Sequence, residues 1–311
     1  MPSAATERLH PAAKGLDARP GHEVLDVLLT AQAAALDAVR SALPAIEAGA
    51  VLMADAMRSG RRLVYAGAGS SALMAGADGM ELPGTYGIPS ERIGLLMAGG
   101  LPTDAIMPGA SEDDAQAADL AAAEIQAGDT VIAVTASGRT PYPMAVAITA
   151  RSKGAKVIAI ANNPGVPIFD HADVAICLPT PPEVIAGSTR MGAGTAQKVA
   201  LNLMSTLMGI RLGQVHDGMM VGLVADNAKL RARARSMVME IAGVDADCAA
   251  RALATADGAV KPAILIATGT GKDEATRRLA ASDNNLRAAL ARVNKTGTGS
   301  RTTKTNHGSE I

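Results

Sequence analysis

Five short apolar runs constrain this chain more than any other feature. They are residues 61–66 (RRLVYA), 92–97 (RIGLLM), 130–135 (TVIAVT), 156–161 (KVIAIA) and 173–178 (DVAICL). Each is rich in aliphatic and β-branched residues and is followed by Gly, Pro or Asn. Runs that are apolar on both faces suit strands covered on both sides. Helical spacing occupies residues 71–80, 113–127 and 141–153 between them. The alternation predicts an α/β fold, a parallel sheet of about five strands flanked by helices.

Helical pattern also brackets the sheet region. Residues 22–59 carry apolar positions at helical spacing with Ala fill, and Pro44 is expected to break or kink that stretch. Helical pattern resumes near residue 195 with TAQKVALNLMSTLMGIRLG and continues through MMVGLVADNAKLRARARSMVMEIAG. Beyond residue 242 a small helical module is expected, opened by Asp245 as a cap. The run PAILIATG has strand-like composition but no strand neighbours, so it is read as helix. The expected organisation is an N-terminal arm with helices (1–59), a central ligand-binding domain (60–232), a helical C-terminal module (233–294) and a disordered tail (295–311).

Composition removes several functional classes. The 311 residues carry a net charge of −1, no Trp and only four aromatics, Tyr65, Tyr86, Tyr142 and Phe169. Nucleic-acid binding wants basic patches and stacking rings, so no nucleic-acid partner is expected. No window approaches the roughly 18 uninterrupted apolar residues of a membrane span, so no membrane partner is expected. The first residues lack an apolar segment of signal-peptide type. Cys177 and Cys248 show no metal-ligand spacing. A cytoplasmic location is the expectation. The five His are scattered and form no metal set.

Three polar segments follow strand ends, where ligands bind in open α/β sheets. The first is Gly67-Ala68-Gly69-Ser70-Ser71, whose small residues, N–H groups and hydroxyls suit an anion at a helix N-terminus. The second runs from Thr135 to Tyr142, with Ser137, Gly138, Arg139 and Thr140 forming a phosphate cradle and Pro141 a ready first helical position. The third is Glu183–Arg190, leading into Gly194-Thr195-Ala196-Gln197-Lys198. An ordinary turn, a capped helix start and a surface loop are the plainer readings of the three. No Walker-type lysine motif is present. Two carboxylates, Glu81 and Glu112, stand near these segments. Each is explicable as a solvated or helix-start acid, and two such groups also suit proton transfer.

Taken together, the motifs resemble the N-acetylmuramic acid 6-phosphate etherases, which carry a sugar isomerase (SIS) domain. The resemblance runs from Thr6-Glu7 through GAGSS, ELPGTYG, MAGG, GASEDD, ASGRTPY, EVIAGSTRMGAGTAQK and DNAKL to about residue 293. It implies an SIS-type fold, a homodimer with its cleft near the subunit interface, and no metal or organic cofactor. It also implies cleavage of a D-lactyl ether by elimination and then hydration, giving N-acetylglucosamine 6-phosphate and D-lactate. By the same resemblance Glu81 maps to the acid at the C3 oxygen and Glu112 to the C2 base, with the roles exchangeable. Ser70, Ser71, Ser137, Gly138, Arg139 and Thr140 would hold the phosphate, and Gly69, Ser188, Thr189 and Arg190 the sugar.

The chain departs from the family pattern at two cationic positions, which here are Leu73 and Gly192, both expected near the cleft. A lactyl carboxylate wants a cation. Those departures leave two alternatives open. One is an SIS-type isomerase or lyase acting on another sugar phosphate. The other is a non-catalytic regulator that senses one. Tyr65, Tyr86 and Tyr142 fall within or beside the family motifs and are expected to border the cleft.

Overall fold

The computed structural model describes residues 5–107 and 109–297, with side chains as far as residue 291. Most of the expected tail, residues 298–311, lies outside the described residues. The chain divides into two compact units. One comprises residues up to Pro83 together with Ile88–Arg211; the other comprises Gly84–Gly87 and the chain from Leu212 onward.

The first unit opens with short 3-10 turns, then α1 (Gly21–Ser41) and α2 (Leu43–Arg58). Pro44 sits in the first turn of α2, where its missing N–H has no helical acceptor to lose, and the break falls just before it at Ala42. The elements then alternate as the runs predict: β1 (Leu63–Gly67), α3 (Gly69–Tyr86), β2 (Ile93–Met97), α4 (Ala115–Ala121), β3 (Thr130–Thr135), α5 (Pro141–Ser152), β4 (Lys156–Ala161), β5 (Val174–Cys177) and α6 (Gly192–Arg211). The five strands form one parallel sheet in the order β2-β1-β3-β4-β5.

Both faces of the sheet are covered, which is why its strands lack polar alternation. On one face Val64, Ala66, Val131, Ala133, Val157 and Ala159 pack with Tyr142, Val146 and Ala150 of α5. On the other face lie α2 and α6, where Met204 of α6 and Ile158 of β4 both approach Gly49 of α2.

Three boundaries differ from the periodicity. The segment expected over 113–127 is α4 followed by a 3-10 turn at Ala122–Glu124. The Asp114 carboxylate accepts from the Ala117 N–H at 2.8 Å and starts α4 there. Helix α3 continues beyond residue 80 to Tyr86 with Pro83 inside it, so Glu81 is helical rather than in a turn. Residues 219–227 are not helical, because α7 (Ala228–Ala242) begins at an Asn227 cap whose side chain accepts from the Leu230 N–H.

The second unit contains α7, α8 (Ala246–Thr255), α9 (Val260–Ala267), α10 (Lys272–Ala280) and α11 (Leu286–Gly297). Asp245 caps α8 as expected, accepting from the Cys248 N–H at 2.7 Å. The ambiguous apolar run is helix α9, whose Val260, Ile264 and Leu265 join Val238, Ala249 and Leu279 in this unit's own core. Lys261 of α9 is buried among acceptors without charge: Gly213 O at 3.2 Å, Asn284 O at 3.0 Å and Gln214 Oε1 at 2.9 Å. Burial lowers its pKa to about 8.

Candidate functional site

The strand order reverses direction between β1 and β3, and the loops leaving the carboxyl ends of those two strands diverge to opposite faces of the sheet. That is the crevice in which doubly wound sheets bind ligands. A cleft of about 170 Å³ lies there, lined by Gly69, Ser70 and Ser71 after β1 and by Thr135, Ser137 and Thr140 after β3. Glu112, Gly187 and Thr189 complete it together with Thr6 and Glu7.

Two helix N-termini converge on this cleft. Helix α3 begins at Gly69, so the first N–H groups of its backbone have no partner within the helix. Helix α5 begins at Pro141 with Thr140 as its cap residue, yet the Thr140 hydroxyl does not bond that helix end. It instead pairs with the Thr135 hydroxyl at 2.9 Å and the Ser137 hydroxyl at 3.3 Å, while Thr135 and Ser137 stand 3.4 Å apart. The Gly138 N–H donates to Thr135 Oγ1 at 3.3 Å, and the Arg139 N–H donates to Ser137 Oγ at 3.1 Å. Gly138 has a φ of +72°, and a Cβ there would stand 2.2 Å from Val166 Cγ2, so only glycine closes this turn.

Glu112 reaches the cleft from the 3-10 turn Gly109–Asp113. Its Oε1 lies 2.7 Å from the point a Cβ on Gly69 would occupy. Gly69 also has a φ of +53°, so the first residue of α3 is glycine for two independent reasons. The carboxylate therefore rests directly on the backbone that opens α3.

Not every expected site residue is brought together. Glu81 lies on α3 and is exposed, outside the cleft of a single chain. Eleven residues along a helix from Ser70 place it roughly 16 Å away. Gly138 closes the loop from behind without lining the cleft. Arg139, Ser188 and Arg190 also lie outside the lining, and Arg139 and Arg190 are exposed. None of the three tyrosines lines the cleft, contrary to expectation. Tyr65 and Tyr142 are core residues, and Tyr86 is buried in the second unit.

The two positions where the family carries a cation, Leu73 and Gly192, do not line the cleft of a single chain. Leu73 is exposed on α3. At Gly192 a Cβ would stand 3.2 Å from Glu183 Oε2 and 3.3 Å from Ala35 Cβ. Glu183 is buried, and its two oxygens accept from the N–H groups of Gly192 (2.9 Å) and Ala193 (2.8 Å) at the start of α6. Position 192 thus belongs to the seating of α6.

A buried polar cluster underlies α3. The Tyr65 hydroxyl donates to Asp78 Oδ2 at 2.9 Å, while the Asn202 amide and the Ser205 hydroxyl each donate to Asp78 Oδ1 at 2.8 Å. Lys198 in turn donates to Asn202 Oδ1. Burial raises the pKa of Asp78, the three hydrogen bonds pull it back, and the charge of nearby Glu81 adds to the rise.

Sequence reasoning set Thr135 at the head of the second segment without a role of its own, and missed Thr6 and Glu7 as cleft residues. Thr135 had a readable signal, a hydroxyl closing an otherwise aliphatic strand. Thr6 and Glu7 had only their place in the family pattern. No group of three or more His, Cys, Asp or Glu residues among the described residues is placed to hold a metal. No helix among them is long and apolar enough to cross a membrane.

Comparison with known proteins agrees with the fold. A family model described as SIS domain matches residues 107–208. The N-acetylmuramic acid 6-phosphate etherase of Symbiobacterium thermophilum is 46% identical over 73% of this chain and 76% of its own length. The protein of the same name from Deinococcus radiodurans is 40% identical over 84% of this chain and 86% of its own. Among solved structures, a phosphoheptose isomerase from Neisseria gonorrhoeae aligns over 60% of this chain and 97% of its own, at 19% identity and a TM-score of 0.46.

Proposed function

Because this chain belongs to the N-acetylmuramic acid 6-phosphate etherase family, an SIS-domain family of lyase type, we propose that it cleaves the D-lactyl ether of N-acetylmuramic acid 6-phosphate. The products are N-acetylglucosamine 6-phosphate and D-lactate. The observation that carries the reading is the cleft itself, a ring of hydroxyls between two helix N-termini with a carboxylate set into it. Neutral donors and helix ends suit a phosphate dianion. A carboxylate beside them suits removal of a proton from the sugar carbon chain.

In this mechanism Ser70, Ser71, Ser137 and Thr140 hold the phosphate, and the loop through Gly138 and Arg139 shapes their cradle. Gly69 and Thr189 border the sugar, with Ser188 and Arg190 following on the same loop. Glu112 takes the C2 proton of the open-chain aldehyde. The electron pair moves toward C3 and expels lactate, whose oxygen receives a proton from Glu81. Water then adds across the resulting double bond, and the proton taken from C2 is returned.

The distance of Glu81 from its own cleft supports a homodimer in which each cleft receives Glu81 from the partner subunit. A groove between α2 and α6, lined by Leu43, Ile46, Leu203 and Ile210, offers an apolar surface of the kind two copies bury.

The test is D-lactate release from N-acetylmuramic acid 6-phosphate by purified protein, beside Glu81→Gln and Glu112→Gln. Release by the wild type and loss in both variants is expected. If Glu81 and Glu112 serve one cleft from two chains, mixing the two inactive variants restores about a quarter of the activity through heterodimers with one intact site. Solvent deuterium at C2 of another sugar phosphate, without lactate release, would indicate an isomerase. Saturable binding without turnover would indicate a sensor.

A further inference from the structure

The N-terminal arm reaches the cleft although it is remote in sequence from every strand. Thr6 and Glu7 lie in the 3-10 turn Ala5–Glu7, and both line the cleft. A single side chain secures the turn. Asn163, which follows β4 and is 4% exposed, accepts from the Ala5 N–H at 2.9 Å through Oδ1. Its amide nitrogen donates both to Thr6 Oγ1 at 3.3 Å and to Ala136 O at 3.0 Å. The same amide therefore ties the arm to the loop that carries Ser137 and Thr140.

This arrangement leaves Thr6 in a specific state. Its side chain is buried at 2% exposure, and its oxygen already accepts from Asn163. A hydroxyl has one hydrogen to give besides its lone pairs. That hydrogen bonds no group among the described residues, and the residue faces the cleft. Glu7, by contrast, is exposed. A carboxylate repels a phosphate dianion but accepts strongly from hydroxyl groups.

We propose that Thr6 and Glu7, strapped onto the cleft by Asn163, are substrate-binding residues, with the Thr6 hydroxyl donating to the phosphate and the Glu7 carboxylate accepting from hydroxyls of the sugar. The inference rests on the phosphosugar reading of the cleft and adds a wall to it. Asn163 acts through the arm and is a positioning residue.

Calorimetric titration of the full chain with N-acetylglucosamine 6-phosphate and with inorganic phosphate tests this, beside lactate-release kinetics. Glu7→Gln is expected to weaken sugar phosphate about tenfold and leave inorganic phosphate unchanged, since a charged hydrogen bond to the sugar is lost. Thr6→Val is expected to weaken both ligands by about tenfold. Asn163→Ala is expected to raise KM more than it lowers kcat, and to speed hydrogen exchange at the amides of residues 5–7. Exposed Glu7 keeps the test open even if Asn163→Ala folds poorly. Wild-type binding of both probes, with Glu7→Gln and Thr6→Val within twofold of it, would overturn the proposal alone. Failure of the wild type to bind either probe would overturn the phosphosugar reading and the proposal with it. Tight binding without lactate release would remove only the lyase chemistry, and the same two variants would still decide the arm's role.

Discussion

Glu112 Oε1 sits 2.7 Å from where Gly69 would carry its first side-chain atom. A carboxylate and a helix start thus occupy positions that exclude any larger residue. Gly69→Ala must either push Glu112 away or shift the first turn of α3, and must hold an L-residue at positive φ. The strain costs about 1 to 2 kcal/mol of stability. Lactate release should fall far more than that figure implies, by about a hundredfold, because misplacing a reacting group by an ångström is that costly. Urea unfolding beside kcat separates the two effects.

Asp78 is buried with three donors and, among the described residues, no ion-pair partner, so its carboxylate carries the cost of its charge. Its raised pKa means that the folded chain holds this proton more tightly than the unfolded chain. Its contribution to stability therefore falls as pH rises from the ordinary carboxylate value through the raised one. Asp78→Asn should abolish that slope. Asp78→Ala should cost about 1 to 3 kcal/mol at neutral pH by leaving buried donors unpaired, and Asp78→Asn less than that. Urea unfolding between about pH 4 and pH 8 measures both.

Glu183→Ala removes the acceptor of two N–H groups at the start of α6 and leaves a void beside Gly192. The expected loss is about 1 to 3 kcal/mol in a denaturant melt. Gly192→Lys, which restores a cation at that position, is expected to destabilise as well, because its Cβ meets Glu183 and Ala35. An unchanged melt with an improved KM would show that position 192 does serve the substrate.

Lys261 gives the second unit a pH dependence of opposite sign. Its folded pKa of about 8 lies below the ordinary 10.5, so the native state binds fewer protons across that window. Stability rises with pH through the window, by on the order of 3 kcal/mol in all, and is at its lowest below it. Lys261→Met should flatten this rise. The difference in thermal midpoint between wild type and variant, followed from about pH 7 to about pH 10, reads it directly.

Much of the sheet was legible because a strand covered on both faces has few ways to be written. RRLVYA, TVIAVT and KVIAIA could hardly be anything else. Helix limits were less legible because side chains that cap, such as Asp114 and Asn227, override periodicity locally. The hydroxyl loops could be read at the ends of β1 and β3, since Gly, Ser and Thr there are poor choices for packing. Thr6 and Glu7 could not, because their role depends on a hydrogen bond to Asn163 that no local pattern announces. Tyr65 and Tyr142 misled for the opposite reason. Their neighbours in sequence belong to the cleft, but both rings are buried in the core, and the Tyr65 hydroxyl donates to Asp78.

The clasp between Ala5 and Asn163 spans 158 positions of chain. During synthesis the arm leaves the ribosome well before its anchor, by a delay of roughly 8 to 30 seconds at ordinary elongation rates. Throughout that interval Thr6 has nothing to rest on. The pocket therefore comes into being late, only after β4 has been made and has joined β3. A nascent chain stalled before Asn163 would already hold the Ser70 and Ser137 loops yet lack the wall that encloses them.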